Sequence, residues 1–454
     1  MNITVVGAGK IGRAIIESLD KENHDIIVID KDPKIIEQLQ NSFDLMGICG
    51  DGINIKNLEL ASLKSCNLFV ATTGSDEHNM LSCLIAKSLG AKYTVARVRN
   101  SEYAGETLNY IKQQLDISMV FNTDLLTAQT IYNNIKFPSA MKYEMFSGRK
   151  FELVELPIKD DSIFAGKALS KIKSQFDISF LVCYVNREGV GSAIPTGDYV
   201  LEAGDKIGLV ASPIEMQALL KRMNVLQKQV RNVMLLGASR VAVYLANRLA
   251  DNGYKVRILE KSEEKCHSVV EVLDDRVELV IADGIDSSLL LEEGIERQDS
   301  FVALTGLDEE NILVAYHAMD MGVPKVIAKV NHETYVDISE KMGVDCAISP
   351  NHLAADFILK YARALDSTVE SKIETLYSLM NGVVEALEFI VSPDFSKIGV
   401  KLKDLKLKNN ILIAGIIREN KTIIPNGNDV INEDDHVIVV AKEQKLSDLA
   451  DILA

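Results

Sequence analysis

Gly7-Ala8-Gly9-Lys10-Ile11-Gly12 has the residue types and spacing to cradle a pyrophosphate. In such a loop the first glycine permits a tight turn, the second lets phosphates approach the backbone, and the third lets the next helix pack closely on the strand. The helix N-terminus then faces the anion with its dipole and free N–H groups. Asp30 lies 21 residues beyond Gly9, where a carboxylate accepts both ribose hydroxyls. That carboxylate repels a 2′-phosphate, so NAD, NADH or an adenine nucleotide such as ATP or ADP is favoured over NADP, and Lys31 alone does not reverse this. Thr72-Thr73-Gly74 follows an apolar run, Asp51 sits in a Gly-Asp-Gly turn, and Arg97 carries a guanidinium suited to a phosphate.

These groups need a frame. Residues 3–6 read as a short buried strand before the loop, and residues 13–19 as an amphipathic helix after it. Residues 25–29 form a second strand that delivers Asp30, while residues 68–71 and 91–98 give two more. In a doubly wound sheet, ligands sit beyond the carboxyl ends of the strands, which is where Thr72 and Thr73 fall. A bare glycine loop is often only a structural turn; the strand before it, the helix after it and the spacing of Asp30 favour a binding site. For Asp51 and Arg97, a turn residue and an exposed ion pair remain equally open readings.

The same unit is written twice. Gly237-Ala238-Ser239-Arg240-Val241-Ala242 is the second loop, and Glu260 stands 230 residues after Asp30. Asp51 to Asp283, Thr73 to Thr305 and Arg97 to Lys329 are each 232 apart, so one short insertion separates the copies. Ala242 satisfies the close-packing requirement of the last position. Ser239 is the real departure: its Cβ crowds a pyrophosphate, while its hydroxyl is able to donate to one. Either the second site binds a nucleotide with weakened or altered affinity, or it is retained only as structure, with Gly237, Ala238, Ser239, Arg240, Val241, Glu260, Asp283 and Thr305 as its candidate residues.

Each loop-bearing part is followed by a strand-rich one. A helix over 123–136 ends before Pro138, alternating and buried runs begin at Lys150, and Ile194-Pro195-Thr196-Gly197 makes a turn that Ile424-Pro425-Asn426-Gly427 repeats. The fold class is therefore α/β: two tandem Rossmann-like domains, each followed by a small α+β module. The expected bounds are 1–122, a crossover helix and linker at 123–140, a module at 141–225, a second nucleotide domain at 230–350, a crossover at 351–370 and a last module at 371–454.

The 454 residues carry a formal net charge of −16, which repels a nucleic-acid backbone at long range and excludes nucleic acid as an expected partner. Six cysteines without CxxC or CxxH spacing read as reduced thiols, not a disulfide framework or a zinc site. The start lacks the basic and apolar regions of a signal peptide, and no apolar run approaches a membrane span. The expectation is a cytoplasmic chain that reaches a membrane only through a partner.

On the intact loop, Asp30, Gly50-Asp51, the stretch from Ala71 to Met80, Ala96-Arg97-Val98 and the paired Ile-Pro-x-Gly turns, the chain resembles the TrkA family, the NAD-binding regulatory subunits of bacterial Trk potassium uptake systems. The resemblance covers essentially the whole length in the order RCK-N, RCK-C, RCK-N, RCK-C. It implies NAD or NADH, with ATP or ADP as further ligands, and a homo-oligomer, dimer or tetramer, forming an RCK ring. It also implies an integral membrane potassium-translocating partner of the TrkH or TrkG type, and a peripheral position at the inner face of the cell membrane. For the RCK-C modules it leaves open cyclic di-AMP or a metal ion. Self-association is expected through the apolar helices near 123–136 and 351–365.

An NAD-dependent oxidoreductase is the rival reading. It needs a proton-transfer group facing the nicotinamide, yet no histidine recurs across the repeat: His78 maps to Glu310, and His24 to Tyr254. Tyr132 and Lys136 match the Tyr-x-x-x-Lys of short-chain dehydrogenases, with Ser118 upstream, but those enzymes carry a GxxxGxG loop, and the second copy does not retain the pair. No catalytic residue is assigned. A nucleotide-sensing regulator of a different transporter is the third reading.

Overall fold

The computed structural model describes residues 1–103, 105–136, 142–146, 150–223, 230–344, 346–366, 371–379, 383–419 and 421–454. In chain order the first nucleotide-type domain runs β1 (Asn2–Val6), α1 (Lys10–Asp20), β2 (Asp25–Asp30), α2 (Pro33–Ser42), β3 (Leu45–Cys49), α3 (Ile55–Leu60), β4 (Leu68–Ala71), α4 (Asp76–Ser88), β5 (Tyr93–Arg97), α5 (Glu106–Gln114), β6 (Met119–Phe121) and α6 (Thr123–Lys136). The first small module is β7 (Lys142–Phe146), β8 (Phe151–Pro157), β9 (Lys167–Ala168), α7 (Leu169–Gln175), β10 (Phe180–Arg187), β11 (Gly191–Ala193), β12 (Val200–Leu201), β13 (Lys206–Ala211) and α8 (Pro213–Arg222).

The second copy repeats the order: β14 (Asn232–Leu236), α9 (Arg240–Asp251), β15 (Lys255–Glu260), α10 (Glu263–Val270), β16 (Val277–Ile281), α11 (Ser287–Glu292), β17 (Ser300–Ala303), α12 (Asp308–Asp320), β18 (Lys325–Lys329), α13 (Glu333–Lys341), β19 (Cys346–Ile348) and α14 (Pro350–Asp366). The last module holds β20 (Ser371–Leu379), β21 (Val384–Val391), β22 (Ile411–Arg418), β23 (Lys421–Ile423) and β24 (His436–Lys442).

By contacts the chain divides into two compact units that pair like with like: Met1–Tyr132 with Arg231–Ala362, and Asn133–Val230 with Arg363–Ala454. In the first unit each domain has a six-stranded parallel sheet, ordered β3-β2-β1-β4-β5-β6 and β16-β15-β14-β17-β18-β19. This is the doubly wound order, with the strand sequence reversing beside β1 and β14. The central strands are buried on both faces, as β4 and β17 show over their full lengths. Helix α1 turns Gly12, Ile15, Ile16 and Leu19 inward, the i, i+3, i+4, i+7 stripe that covers one side of the sheet.

The crossover helices pack within the chain. Part of the apolar face of each, expected from sequence to serve self-association, is covered within the chain, where Ile131 and Ile358 are fully buried, while Leu125 on α6 stays exposed. Tyr132 on α6 meets Tyr254 of the second domain edge-on at 6.4 Å, and Arg248 lies 4.7 Å over its ring. Phe357 on α14 reaches back to Phe121 of the first domain at 5.7 Å. A repeated domain thus carries a partner for part of its own helix face in the same polypeptide.

In the second unit each module has a five-stranded sheet, β11-β10-β13-β8-β7 and β20-β21-β24-β22-β23, paired antiparallel. One apolar cluster joins them, with Phe146, Phe151 and Tyr184 from one module and Leu379, Val384 and Ile438 from the other. Tyr377 donates from its hydroxyl to the Met145 carbonyl at 2.6 Å. The modules repeat one ion pair: buried Asp205 takes a forked pair from Arg187 at 2.7 and 2.8 Å, and buried Asp435 one from Arg418 at 2.9 and 2.7 Å.

Candidate functional site

The first glycine loop leaves β1 through Gly7 at φ +87°, a backbone that side chains disfavour, and a Cβ there would also lie 2.8 Å from the Thr73 nitrogen. A Cβ at Gly12 would collide with the Gly7 carbonyl, which fixes how closely α1 packs. Gly9 is different in kind. Its φ of −62° and ψ of −169° suit any residue, but a Cβ there would meet nothing within 4 Å, so the backbone is bare toward open space. Helix α1 then starts with no side chain accepting its first N–H groups. Those orphan donors and the helix dipole make an anion site.

Asp30 does more than its sequence role required. Its Oδ2 accepts the Ala8 N–H at 2.7 Å and its Oδ1 the Asp32 N–H at 2.9 Å, so the carboxylate fastens the loop while lining the space beside it. From β4, the Thr72 hydroxyl donates to the Gly7 carbonyl at 2.8 Å. Thr73 donates both its backbone N–H and its hydroxyl to Asn79 Oδ1 at 2.7 Å, and Asn79 in turn donates to the Arg97 carbonyl at 2.9 Å. The ends of β4 and β5 are thereby locked to the start of α4.

These residues surround a cavity of about 680 Å³ within the first unit, inside the range usual for small-molecule sites. Gly7, Gly9, Lys10, Ile11, Asp30, Lys31, Thr72, Thr73, Gly74 and Arg97 all line it. Ala8 and Gly12 are not among the lining residues. Arg97 is buried rather than an exposed ion pair: its Nη2 donates to the Thr73 carbonyl at 2.7 Å, and its Nε has no hydrogen-bond partner among the described residues. Burial, reinforced by the neighbouring charge of Arg99, draws its pKa down to about 10 against the pull of Asp76 and Asp124.

Asp51 is not in the lining. It caps the turn through the Ile53 N–H at 3.2 Å and pairs with Lys31 and His78, each at 2.9 Å. Burial would raise its pKa, but the Lys31 hydrogen bond, the Ile53 N–H and the adjacent charges lower it overall. It therefore holds two lining residues, Lys31 and His78, and the turn-residue reading is the one that fits.

The second copy keeps the frame but caps its helix and buries its carboxylate. Gly237 has φ +92°, and Glu260 fastens Ala238 N–H at 2.9 Å and Ser262 N–H at 3.0 Å, as Asp30 does its own loop. Glu260 is only 5% exposed, whereas Asp30 is half-buried beside its cavity. Ser239 adopts φ −75° and ψ 165°, close to Gly9, and its hydroxyl accepts the Ala242 N–H at 3.3 Å. The serine thus caps the helix whose first copy has no side-chain cap. Thr305 repeats the Thr73 hydrogen bonds to Asn311, and Asp283 caps Ile285 N–H at 3.3 Å.

Several lining residues were not read from sequence: Arg99, Thr123, Asp124, and, from the second domain, Lys329, Asn331, Pro350 and Asn351. Val241 of the second loop also lines the first copy's cavity, and Arg240 reaches Asp124 at 3.9 Å. The offset from Arg97 to Lys329 was legible, but nothing local indicated that Lys329 faces the other copy's site. Tyr132, the dehydrogenase-like tyrosine, lies under Arg248 against Tyr254 and is not among the lining residues.

Residues 3–123 and 233–350 match the TrkA-N domain, and residues 153–224 and 387–454 the TrkA-C domain. Over 454 residues the chain is 32% identical to a Trk system potassium uptake protein TrkA homolog of Archaeoglobus fulgidus, covering 100% of each. With the Trk system potassium uptake protein TrkA of Vibrio alginolyticus it shares 30% over 451 residues, 98% of this chain and 96% of that one. Among solved structures, the GsuK channel superposes with a TM-score of 0.64 at 17% identity, over 97% of this chain and 77% of that chain. The same channel bound to NAD gives 0.61 at 17% identity with the same coverage.

Proposed function

The chain belongs to the TrkA family of Trk-system potassium uptake proteins, and on that footing we propose that it regulates potassium uptake by binding a nucleotide in the first copy's cavity. The observation that carries this reading is electrostatic. In a chain with net charge −16, the cavity is lined by five cations, Lys10, Lys31, Arg97, Arg99 and Lys329, against two carboxylates, Asp30 and Asp124. With a bare loop and an uncapped helix start at its floor, the site suits a pyrophosphate. NAD, NADH, ATP and ADP all present the adenosine, ribose and phosphates these residues would read.

The binding residues in this proposal are Gly7, Gly9, Lys10, Ile11, Asp30, Lys31, Thr72, Thr73, Gly74 and Arg97. The ligand biases the arrangement of the two nucleotide-binding domains, which requires different affinity for two arrangements. That change passes to an integral membrane potassium-translocating subunit, through a homo-oligomeric ring of these domains. Among the described residues no helix is long and apolar enough to cross a membrane; in this proposal the pore is the partner's.

Calorimetric titration of NAD, NADH, ATP and ADP on the full chain tests the reading, with Asp30→Ala alongside. At least one nucleotide should bind, Asp30→Ala should abolish its binding, and nucleotide control of potassium flux should vanish with it. Flux that stays under nucleotide control in a variant that no longer binds would overturn the proposal.

A further inference from the structure

A second cavity, also of about 680 Å³, opens at the other end of the first sheet, where β1 and β2 begin. It shares no lining residue with the nucleotide cavity. Part of its wall is apolar: Ile27 and Met46, neighbours across β2 and β3, line it together with Ala61, the C-cap of α3. Asp20 at the end of α1, Asp25 at the start of β2 and Asp44 just before β3 line it as well, and no lysine or arginine does. No ion pair among the described residues neutralises any of these three carboxylates.

The repeat supplies an internal comparison, because in the second copy the chain fills the same place itself. Arg257 stands where Ile27 does, beside Glu278 where Met46 does, and Glu293 replaces Ala61 as the C-cap of α11. The guanidinium donates through Nε and Nη2 to Glu278 at 2.8 and 2.6 Å. Through Nη1 it donates to the Glu293 carbonyl and carboxylate at 2.6 and 3.2 Å. The surrounding charge also reverses: Lys255 takes the place of Asp25, Arg276 that of Asp44 and Arg297 that of Ser65, another lining residue. One copy thus holds cations of its own at this end of the sheet, while the other has an open space, an apolar wall and carboxylates.

We propose that this cavity binds a small organic cation in which two or more ammonium or guanidinium groups are joined by an alkyl chain. The chain lies on Ile27, Met46 and Ala61, and the cationic groups meet Asp20, Asp25 and Asp44. The apolar wall selects for the alkyl chain, since a bare metal ion gains nothing from covering it. Carboxylates delivered separately by α1, β2 and the approach to β3 suit a ligand whose charges are spaced apart, and the volume is that of a small-molecule site. The inference is independent of the nucleotide reading.

Calorimetric titration of spermidine and of agmatine into the full chain at physiological ionic strength tests it. The salt matters, because a chain of net charge −16 attracts any polycation loosely and salt screens that attraction. At least one probe should bind once per chain, and magnesium chloride at matched ionic strength should not displace it. Asp25→Asn combined with Asp44→Asn should weaken binding about tenfold, the worth of two partly exposed ion pairs. Ile27→Arg combined with Met46→Glu transplants the second copy's pair, fills the space with the chain's own guanidinium and should abolish binding; should that variant fail to fold, the asparagine variant decides. Absence of one-to-one binding by both probes, wild-type affinity in either folded double variant, or full displacement by magnesium overturns the site.

Discussion

Asp30 and Glu260 occupy the same place in the two copies and fasten the loop in the same way, yet only Asp30 borders the cavity. The extra methylene of Glu260 accompanies a deeper position, and its charge is held by structure alone. Burial acts to raise its pKa, but the N–H groups of Ala238 and Ser262 and the charge of Lys265 outweigh this and leave it below the ordinary 4.5. A folded-state pKa below the unfolded value contributes stability that is fully present above about pH 4.5 and is lost as pH falls through the depressed value. Glu260→Gln keeps the shape and one acceptor but removes the charge. It should therefore be less stable than wild type at pH 7, and the gap in urea midpoint should close as pH is lowered below 4.5. A gap that stays constant from pH 7 into the acid range would contradict this account of the carboxylate.

Four helix starts meet the first cavity, through Lys10 and Ile11 on α1, Thr123 and Asp124 on α6, Val241 on α9, and Pro350 and Asn351 on α14. Each brings the positive end of a helix dipole, but α1 and α9 differ at their caps, Gly9 against Ser239. Ser239→Gly should cost only a few tenths of a kcal/mol, since glycine is a tolerable cap, while freeing the Ala242 N–H and the space now taken by Cβ. Equilibrium dialysis with ADP should then show more nucleotide bound per chain than in wild type; an unchanged stoichiometry would mean that Glu260 and the surrounding frame, rather than the cap, close the second copy. The loop, Asp30, the threonines and both parallel sheets were legible because glycine spacing, strand burial and carboxylate position are local chemistry. Lys329 and Asn331 were not, since they reach the cavity only through the packing of one domain on another. The intrachain partners of α6 and α14 were not legible for a related reason. An amphipathic pattern states that a face is covered, and not by what.

At the scale of the whole chain, repetition has turned what would be contacts between copies into contacts within one polypeptide. Domains pair by type across the repeat, so each sequence half, near 1–230 and 231–454, folds its two parts into different units. In the first unit Phe121 and Tyr132 rest on Phe357 and Tyr254 from the other half. In the second, Phe146, Phe151 and Tyr184 share a cluster with Leu379, Val384 and Ile438. A half-chain alone would expose both sets, and apolar patches of that kind drive association. Because the halves are related copies, the surface each exposes is shaped to fit a second repeat, and a second molecule of the same half supplies one. Residues 1–230 expressed alone should therefore run as a dimer by size-exclusion chromatography with light scattering, and adding residues 231–454 should convert it to the mixed pair. A fragment that is folded, soluble and monomeric at micromolar concentration would show that each half covers its own core, and would remove the argument that the repeat pairs across itself for stability.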